Sequence, residues 1–301
     1  MITKNIPAIQ TYLKSLSSNG ASVHTIRSYA DSINKVISAF SIETVEDFKK
    51  ISKIDFLTYV NDMTISNNSK RKFLRNIRAF ASWLLNTVGI DVKETFAIRF
   101  GNSPFPEVKK RDRVVLNEEE IAMVIGVARN LQERLMMEVF FHTMLRNFEV
   151  ANIKISDIDG CTIKIVGKGG NESKTRLTKE MCELLHQYIN DERDTDSPYL
   201  FYGTRGSGKN KVSEDGTWKP ISGVSINQRV RTLAKLSGID PRKADEFTTH
   251  RCRGTAITIS NRTRGVRVTQ LLARHANINT TMLYDMNKID AVIDELDERT
   301  W

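Results

Sequence analysis

The sequence predicts a mainly α-helical protein with one small antiparallel β-sheet, divided into two domains. Apolar residues at helical spacing dominate the chain, strand-like alternation is confined to one region, and 301 residues suffice for two hydrophobic cores. We therefore expect a helical domain over residues 1–90, a basic linker over residues 91–115 and a second domain over residues 116–301.

The first domain is predicted to consist of four helices. Their expected ranges are Ile6–Leu16, Ser22–Phe40, Val45–Met63 and Asn67–Val88. No strand-like alternation interrupts them. In the fourth segment, apolar residues recur at i, i+4, i+7 and i+11, which predicts one buried stripe made of Phe73, Ile77, Phe80 and Leu84.

The fourth predicted helix also carries an unusually basic face. No acidic residue lies between Ser66 and Ile90. Because a solvated helix face usually mixes charges of both signs, this pattern favours contact with DNA phosphates over a plain solvated face. The cations of this face are Lys70, Arg71, Lys72, Arg75 and Arg78.

The linker is basic as well, through Lys109, Lys110 and Arg111, which are either DNA contacts or part of a solvated tether. The second domain switches from helices to short β-branched alternation and back. A tight turn at Gly167–Asn171 should place Lys168 at a hairpin tip. The predicted helices are Glu118–Arg129, Gln132–Thr143, Thr178–Asp191, Ser225–Ser237 and Thr255–Asn261, and the predicted strands are Ile153–Ile155, Thr162–Val166 and Lys174–Leu177.

Composition limits the classes of partner and compartment. A net charge of +9 and a pI near 9.4 point to an anionic partner, nucleic acid before membrane. Three scattered cysteines argue against a disulfide scaffold and structural zinc, and fit a reducing compartment. No run of about 20 apolar residues exists, so we expect neither secretion nor membrane insertion. We expect a cytoplasmic, nucleoid-associated protein that uses no metal and no cofactor.

Six residues supply what metal-free cleavage of a phosphodiester needs. Arginine forks bind phosphate oxygens, a lysine can protonate the leaving oxygen, and histidines can donate to the phosphate or accept a phenolic proton. A tyrosine nucleophile keeps the covalent step reversible, because its phenol leaves readily again. In chain order these residues are Arg146, Lys168, His250, Arg253, His275 and Tyr284.

The order and spacing of these residues resemble the tyrosine recombinase family, the phage-integrase, Xer and Cre group, over nearly the whole chain. Arg146 is followed by Glu149, Lys168 lies in a Gly-Lys-Gly turn, and Tyr284 follows His275 by nine residues. The run Thr25–Tyr29, which contains Arg27, resembles the family's core-binding domain. We add Arg27 and Arg229 to the predicted DNA contacts.

The resemblance implies a role for each residue and an assembly. Arg146 and Arg253 would clamp the phosphate, and Lys168 would be the general acid. His250 would be the acid/base partner, and His275 would donate to the transition state. Tyr284 would be the nucleophile of a 3′-phosphotyrosine intermediate.

The resemblance further implies a core-binding domain and a catalytic domain that close on double-stranded DNA as a C-shaped clamp. Four protomers on paired sites would exchange strands through a Holliday junction, and the segment after Tyr284 would dock on a neighbouring subunit. Accessory DNA-bending or directionality proteins are further expected partners.

Three neighbours of the site depart from the family pattern. Met144 and Arg274 stand where glycine is usual, and Gly254 stands where histidine is common. Two alternatives therefore stay open: a DNA-binding regulator that keeps the fold without exchanging strands, and an enzyme like a type-IB topoisomerase.

Overall fold

A computed structural model of the protein describes residues 6–97, 114–167, 170–193, 195–203, 212 and 216–284. The chain forms two compact units, residues 1–111 and 112–301. The predicted fold class is confirmed in the described residues, which are mainly helical with a three-stranded antiparallel sheet. Among the described residues, no helix is long and apolar enough to cross a membrane.

The N-terminal unit is helical around an aromatic core. The predicted stripe of α4 is confirmed, because Phe73, Ile77, Phe80 and Leu84 are all buried. Edge-to-face contacts join Phe80 to Phe48 at 5.5 Å between ring centroids. The helices are α1 (Pro7–Ser18), α2 (Val23–Ala39), α3 (Lys53–Asp62), α4 (Asn67–Trp83) and α5 (Lys93–Phe96), with a 3₁₀ turn at Val45–Lys50 and a π turn at Leu84–Val88.

The predicted helix over Val45–Met63 is wrong as a single element. A 3₁₀ turn ends at Lys50, Ile51 is extended, and α3 begins at Lys53. The cause is local capping, since the Ser52 hydroxyl accepts a hydrogen bond from the Asp55 N–H at 3.1 Å and starts a new helix.

The C-terminal unit carries nine described helices around a second hydrophobic core. Several of the predicted helices were too short or too long by a few residues. The helix that was predicted to begin at Thr255 begins six residues earlier, at Thr249. The helices are α6 (Glu118–Gly126), α7 (Leu131–Thr143), α8 (Asn147–Ala151), α9 (Lys179–Gln187), α10 (Gly223–Leu236), α11 (Pro241–Glu246), α12 (Thr249–Arg264), α13 (Val266–Leu272) and α14 (Ile278–Met282).

The sheet has the order β1 (Ile158–Asp159), β2 (Thr162–Val166), β3 (Glu172–Arg176). Ile163 and Ile165 of β2 face the core, as their alternation predicted. The predicted strand Ile153–Ile155 is confirmed only as a single antiparallel bridge, between Lys154 and Tyr199. The Asp157 carboxylate accepts from the Lys154 N–H at 2.9 Å and closes a 3₁₀ turn there.

The cysteines require a further correction. Their scatter argued against a disulfide scaffold, yet Cys161 and Cys182 are bonded, and Cys252 is free and buried. The Leu177 N–H donates to the Cys161 carbonyl at 2.8 Å, which brings the start of α9 beside the turn between β1 and β2. A separation of 21 residues hides this proximity, because the chain leaves along β2 and returns along β3.

Candidate active site

Arg146 is held by the turn between α7 and α8. Met144 ends α7 in the left-handed conformation (φ 54°), and Arg146 is the N-cap of α8. The buried Glu149 carboxylate accepts from the Arg146 N–H at 2.7 Å and from its Nη1 at 3.0 Å. The Arg146 side chain is 40% exposed, so its guanidinium is both fixed and reachable from solvent.

Arg253 lies on α12, three residues after His250. It is 3% exposed. Its Nη1 donates to the Met144 carbonyl, and its Nη2 donates to the Ala273 carbonyl at 2.7 Å and contacts His275 Nε2 at 2.9 Å. Burial, followed by the nearby Arg146 charge, lowers the pKa of Arg253 to about 10, so it remains a cation at neutral pH.

The hydrogen bonds of His275 define its tautomer. A guanidinium only donates, so Nε2 must accept from Arg253 and the ring proton must lie on Nδ1. Nδ1 then donates to the Thr281 hydroxyl at 2.7 Å. Burial, with Arg253 as the next cause, lowers the pKa of His275 to about 4. The imidazole is therefore neutral at physiological pH.

Tyr284 follows α14 and packs against the His275 ring. Its ring lies parallel to that of His275 at 6.5 Å between centroids. It is 7% exposed and shares a small apolar cluster with Met144, Ala256, Ile257 and Ala273. The structure thus brings Arg146, Arg253, His275 and Tyr284 together from α8, α12 and the segments beside α13 and α14.

Of the remaining two predicted catalytic residues, the structure describes only His250. His250 is exposed and lines a cleft of about 80 Å³ together with Gly254 and Tyr284. Lys168 lies outside the described residues. The preceding residue, Gly167, is beside the site, because a Cβ built on it would lie 3.9 Å from Glu149 Oε1.

The three departures from the family pattern have a structural basis. Met144 (φ 54°) and Arg274 (φ 55°) both adopt the left-handed conformation that glycine adopts at no steric cost. At Gly254 a Cβ would meet Tyr284 Cε1 at 3.2 Å, so a larger residue would press on the tyrosine ring.

Sequence reasoning missed two contributors to the site. Thr281 was not singled out, although its hydroxyl contacts His275, and Arg274 was noted only as a departure. The Nη2 of Arg274 reaches the Thr143 and Met144 carbonyls at 3.3 and 3.4 Å and Glu149 Oε2 at 3.7 Å. No local sequence pattern identifies these contacts, which span more than 100 residues in the case of Arg274.

The predicted DNA contacts divide into exposed and packed residues. Arg27, Lys72 and Arg75 are exposed, and Arg71 and Arg78 are half-buried. Lys70 is a correction: it is buried, and its Nζ donates to the Asn61 carbonyl at 2.6 Å. The linker residues Lys109, Lys110 and Arg111 lie outside the described residues.

Arg229, the last of the predicted DNA contacts, is partly packed, and its contact with DNA stays a prediction. It is half-buried on α10 and donates from Nη2 to the Tyr202 carbonyl at 3.3 Å. Burial lowers its pKa, while the charge of Glu133 opposes that shift. These contacts make Arg229 part of the packing of its unit. Within the described ranges, no group of three His, Cys, Asp or Glu side chains is placed to bind a metal.

Comparison with known proteins identifies the family. The phage integrase family profile matches residues 114–289. The tyrosine recombinase XerA of Pyrococcus horikoshii is 25% identical over 284 residues, covering 93% of this chain and 89% of its own. Two solved structures share the fold. The first is a lambda integrase (75–356) dimer bound to a COC′ core site, with a TM-score of 0.70 and 17% identity over 98% of this chain and 96% of that chain. The second is a lambda integrase tetramer bound to a Holliday junction, with a TM-score of 0.68 and 18% identity over 94% of this chain and 79% of that chain. Because the family profile spans more than half of its length, this chain belongs to the phage integrase family, the tyrosine recombinases, which cleave and rejoin DNA.

Proposed function

We propose that this enzyme performs site-specific recombination through a 3′-phosphotyrosine intermediate at Tyr284. The observation that carries the proposal is the convergence of the Tyr284 ring, the neutral His275 and the guanidinium groups of Arg253 and Arg146 around one point.

The proposed reaction is an in-line exchange at one phosphorus. Arg146 and Arg253 bind the non-bridging oxygens and stabilise the charge that develops on the pentavalent transition state. The Tyr284 oxygen forms a bond to phosphorus, while the bond to the 5′ oxygen breaks. His250, on the cleft beside Tyr284, accepts the phenolic proton, and Lys168 protonates the leaving oxygen. Attack by a 5′ hydroxyl reverses these steps.

The described state is a resting state in this proposal. With 7% exposure, Tyr284 does not reach a phosphate in solution without moving. The His275 Nε2 accepts from Arg253, so it donates to a phosphate only after Arg253 turns to the DNA and the ring proton moves to Nε2. The Thr281 hydroxyl permits this exchange because it can accept from Nδ1 or donate to it.

The experiment uses a cognate DNA site nicked opposite the cleavage position, so that the cleaved strand dissociates and the covalent adduct accumulates. Wild-type protein should form the adduct, and Tyr284→Phe, which removes only the hydroxyl, should not. A bound site without adduct would contradict the proposal and favour a DNA-binding regulator. Relaxation of supercoiled DNA without sequence preference would instead indicate a topoisomerase.

For the N-terminal unit we propose a role in binding the DNA backbone. The support is three exposed cations, Arg27 on α2 and Lys72 and Arg75 on α4, in a chain of net charge +9. Replacing Lys72 or Arg75 by Gln should lower the slope of log affinity against log salt by about 1 each. Lys70→Met is the matched control, since Lys70 is buried, and it should leave the slope unchanged.

We further propose that four protomers act on paired sites, with the segment after Tyr284 docking on a neighbouring subunit. The lambda integrase tetramer on a Holliday junction, which shares this fold, supports this assembly. Accessory DNA-bending or directionality proteins and a nucleoid location belong to the same proposal. Mass measurement of the complex on paired sites tests it, and a complex that never exceeds two protomers would contradict it.

A further inference from the structure

Arg274 occupies a costly conformation directly before His275. Its φ of 55° lies in the left-handed region that side-chain-bearing residues rarely adopt. Its side chain is only 18% exposed, and its buried Nε has no hydrogen-bond partner among the described residues. The positive φ and the buried Nε without a partner both cost free energy, so we expect a role of Arg274 that offsets this cost.

The guanidinium of Arg274 contacts the groups that orient both predicted phosphate clamps. Its Nη2 approaches the Met144 carbonyl, which also accepts from Arg253, and it pairs with Glu149 Oε2 at 3.7 Å. Glu149 in turn holds Arg146 by two hydrogen bonds. Arg274 therefore joins the end of α13 to the turn between α7 and α8.

We propose that Arg274 is a positioning residue for DNA cleavage, which fixes Arg146 through Glu149 and Arg253 through the Met144 carbonyl. This inference rests on the proposed function. Arg274 is the second guanidinium that pairs with the buried Glu149 carboxylate, and Arg253 lies near enough to feel its charge, so the site carries excess positive charge that a DNA phosphate would neutralise.

A purely structural role is the alternative. Arg274 donates to the last carbonyls of α7, Thr143 and Met144, as a cation at a helix C-terminus often does. Such a cap would affect thermal stability and not the chemical step at saturating DNA. The two roles therefore predict different rates of cleavage at saturating DNA, whereas the loss of the Arg274 charge should raise the pKa of His275 in either case.

His275 reports the charge of the site independently of cleavage. The charged groups that face it are Arg253 on α12, Arg146 at the start of α8 and Arg274 itself, with the neutral side chains of Thr281 and Tyr284 beside it. All three cations hold its pKa down, after burial. Removing the charge of Arg274 should therefore raise the pKa of His275, and lysine should keep it low.

The test compares Arg274→Gln with Arg242→Gln, which removes an exposed arginine from α11. Adduct formation is measured in single turnover on saturating nicked DNA, with DNA affinity by gel shift, thermal unfolding, and His275 titration by NMR in DNA-free protein. Arg274→Gly, which suits a positive φ, guards against misfolding. We expect Gln and Gly at Arg274 to slow cleavage about tenfold, as loss of one charged hydrogen-bonding group does, with affinity within about twofold.

Arg274→Lys should recover part of the rate, because it retains the charge but not the fork. Cleavage by both uncharged variants at the rate of Arg242→Gln would overturn the proposal, whatever the His275 titration shows. So would a rate loss explained wholly by a lower melting temperature and not rescued by lysine. If the wild type itself forms no adduct, the proposed function fails. If the wild type forms the adduct and both uncharged variants match it, only the positioning role of Arg274 fails.

Discussion

The hydrogen bond from His275 to Thr281 leads to a sharp prediction. Thr281 is fully buried, and its hydroxyl is the partner of the Nδ1 proton at 2.7 Å. Thr281→Val keeps the branched shape but removes the acceptor. The Nδ1–H is then buried without a partner, because Arg253 already occupies Nε2 as a donor.

The expected magnitude follows from the cost of one unsatisfied buried donor, about 1–3 kcal/mol. For a unit of this size, each kcal/mol lowers the melting temperature by about 2–4 °C, so a central value of about 2 kcal/mol corresponds to a fall of roughly 4–8 °C. The rate of adduct formation should fall about tenfold, since about 1.4 kcal/mol of lost orientation in the transition state has that effect.

The assay is thermal unfolding together with single-turnover adduct formation on nicked DNA. Thr280→Val is the matched control, because the neighbouring Thr280 is exposed and should tolerate the same change. Thr281→Ser restores the hydroxyl and should recover most of the rate. If Thr281→Val melts and cleaves like Thr280→Val, the assignment of the His275 tautomer is wrong.

Three further predictions concern pH, the disulfide and the tyrosine ring. In the unfolded chain His275 takes up a proton near its ordinary pKa of about 6.5, but in the folded protein it does so only near pH 4. The free energy of unfolding, measured by denaturant titration, should therefore fall as the pH drops from about 6.5 to about 4. Reducing Cys161–Cys182, or replacing both by Ser, should lower the free energy of unfolding by about 3 kcal/mol, as expected for a loop of this length; a loss under about 1 kcal/mol would contradict this. Gly254→Ala should slow adduct formation at least about threefold, because the added Cβ would press on the Tyr284 ring. The free energy of unfolding should change by no more than about 1 kcal/mol, the difference in helix propensity between glycine and alanine. An unchanged rate would mean that the Tyr284 ring moves aside at no cost to cleavage.

Local patterns in the sequence predicted local structure well. The stripe of α4 and the alternation of β2 depend only on which residues face a core, and both were confirmed. The same logic fails for Lys70, which shares a helix with the exposed Lys72 but turns inward to the Asn61 carbonyl. Helical spacing assigns a residue to a face, but it does not say what covers that face.

Contacts between distant segments were beyond sequence reasoning. Cys161 and Cys182 meet only because the hairpin returns to α9, and Arg274 meets Thr143 across 131 positions. The order of Arg146, Arg253, His275 and Tyr284 predicted that these residues belong together. Whether their side chains converge depends on tertiary packing, which the structure supplies for these four.

The departures at Met144 and Arg274 are best understood as one feature. Taken separately in the sequence, each replaces a glycine and suggests a damaged site. In the structure both backbones are left-handed, and the side chain of Arg274 approaches the Met144 carbonyl at 3.4 Å. The Met144 side chain meanwhile packs in the cluster that holds Tyr284. The backbone strain at both positions is thus offset by contacts that involve the site itself, which argues for an adapted active site and against a decaying one.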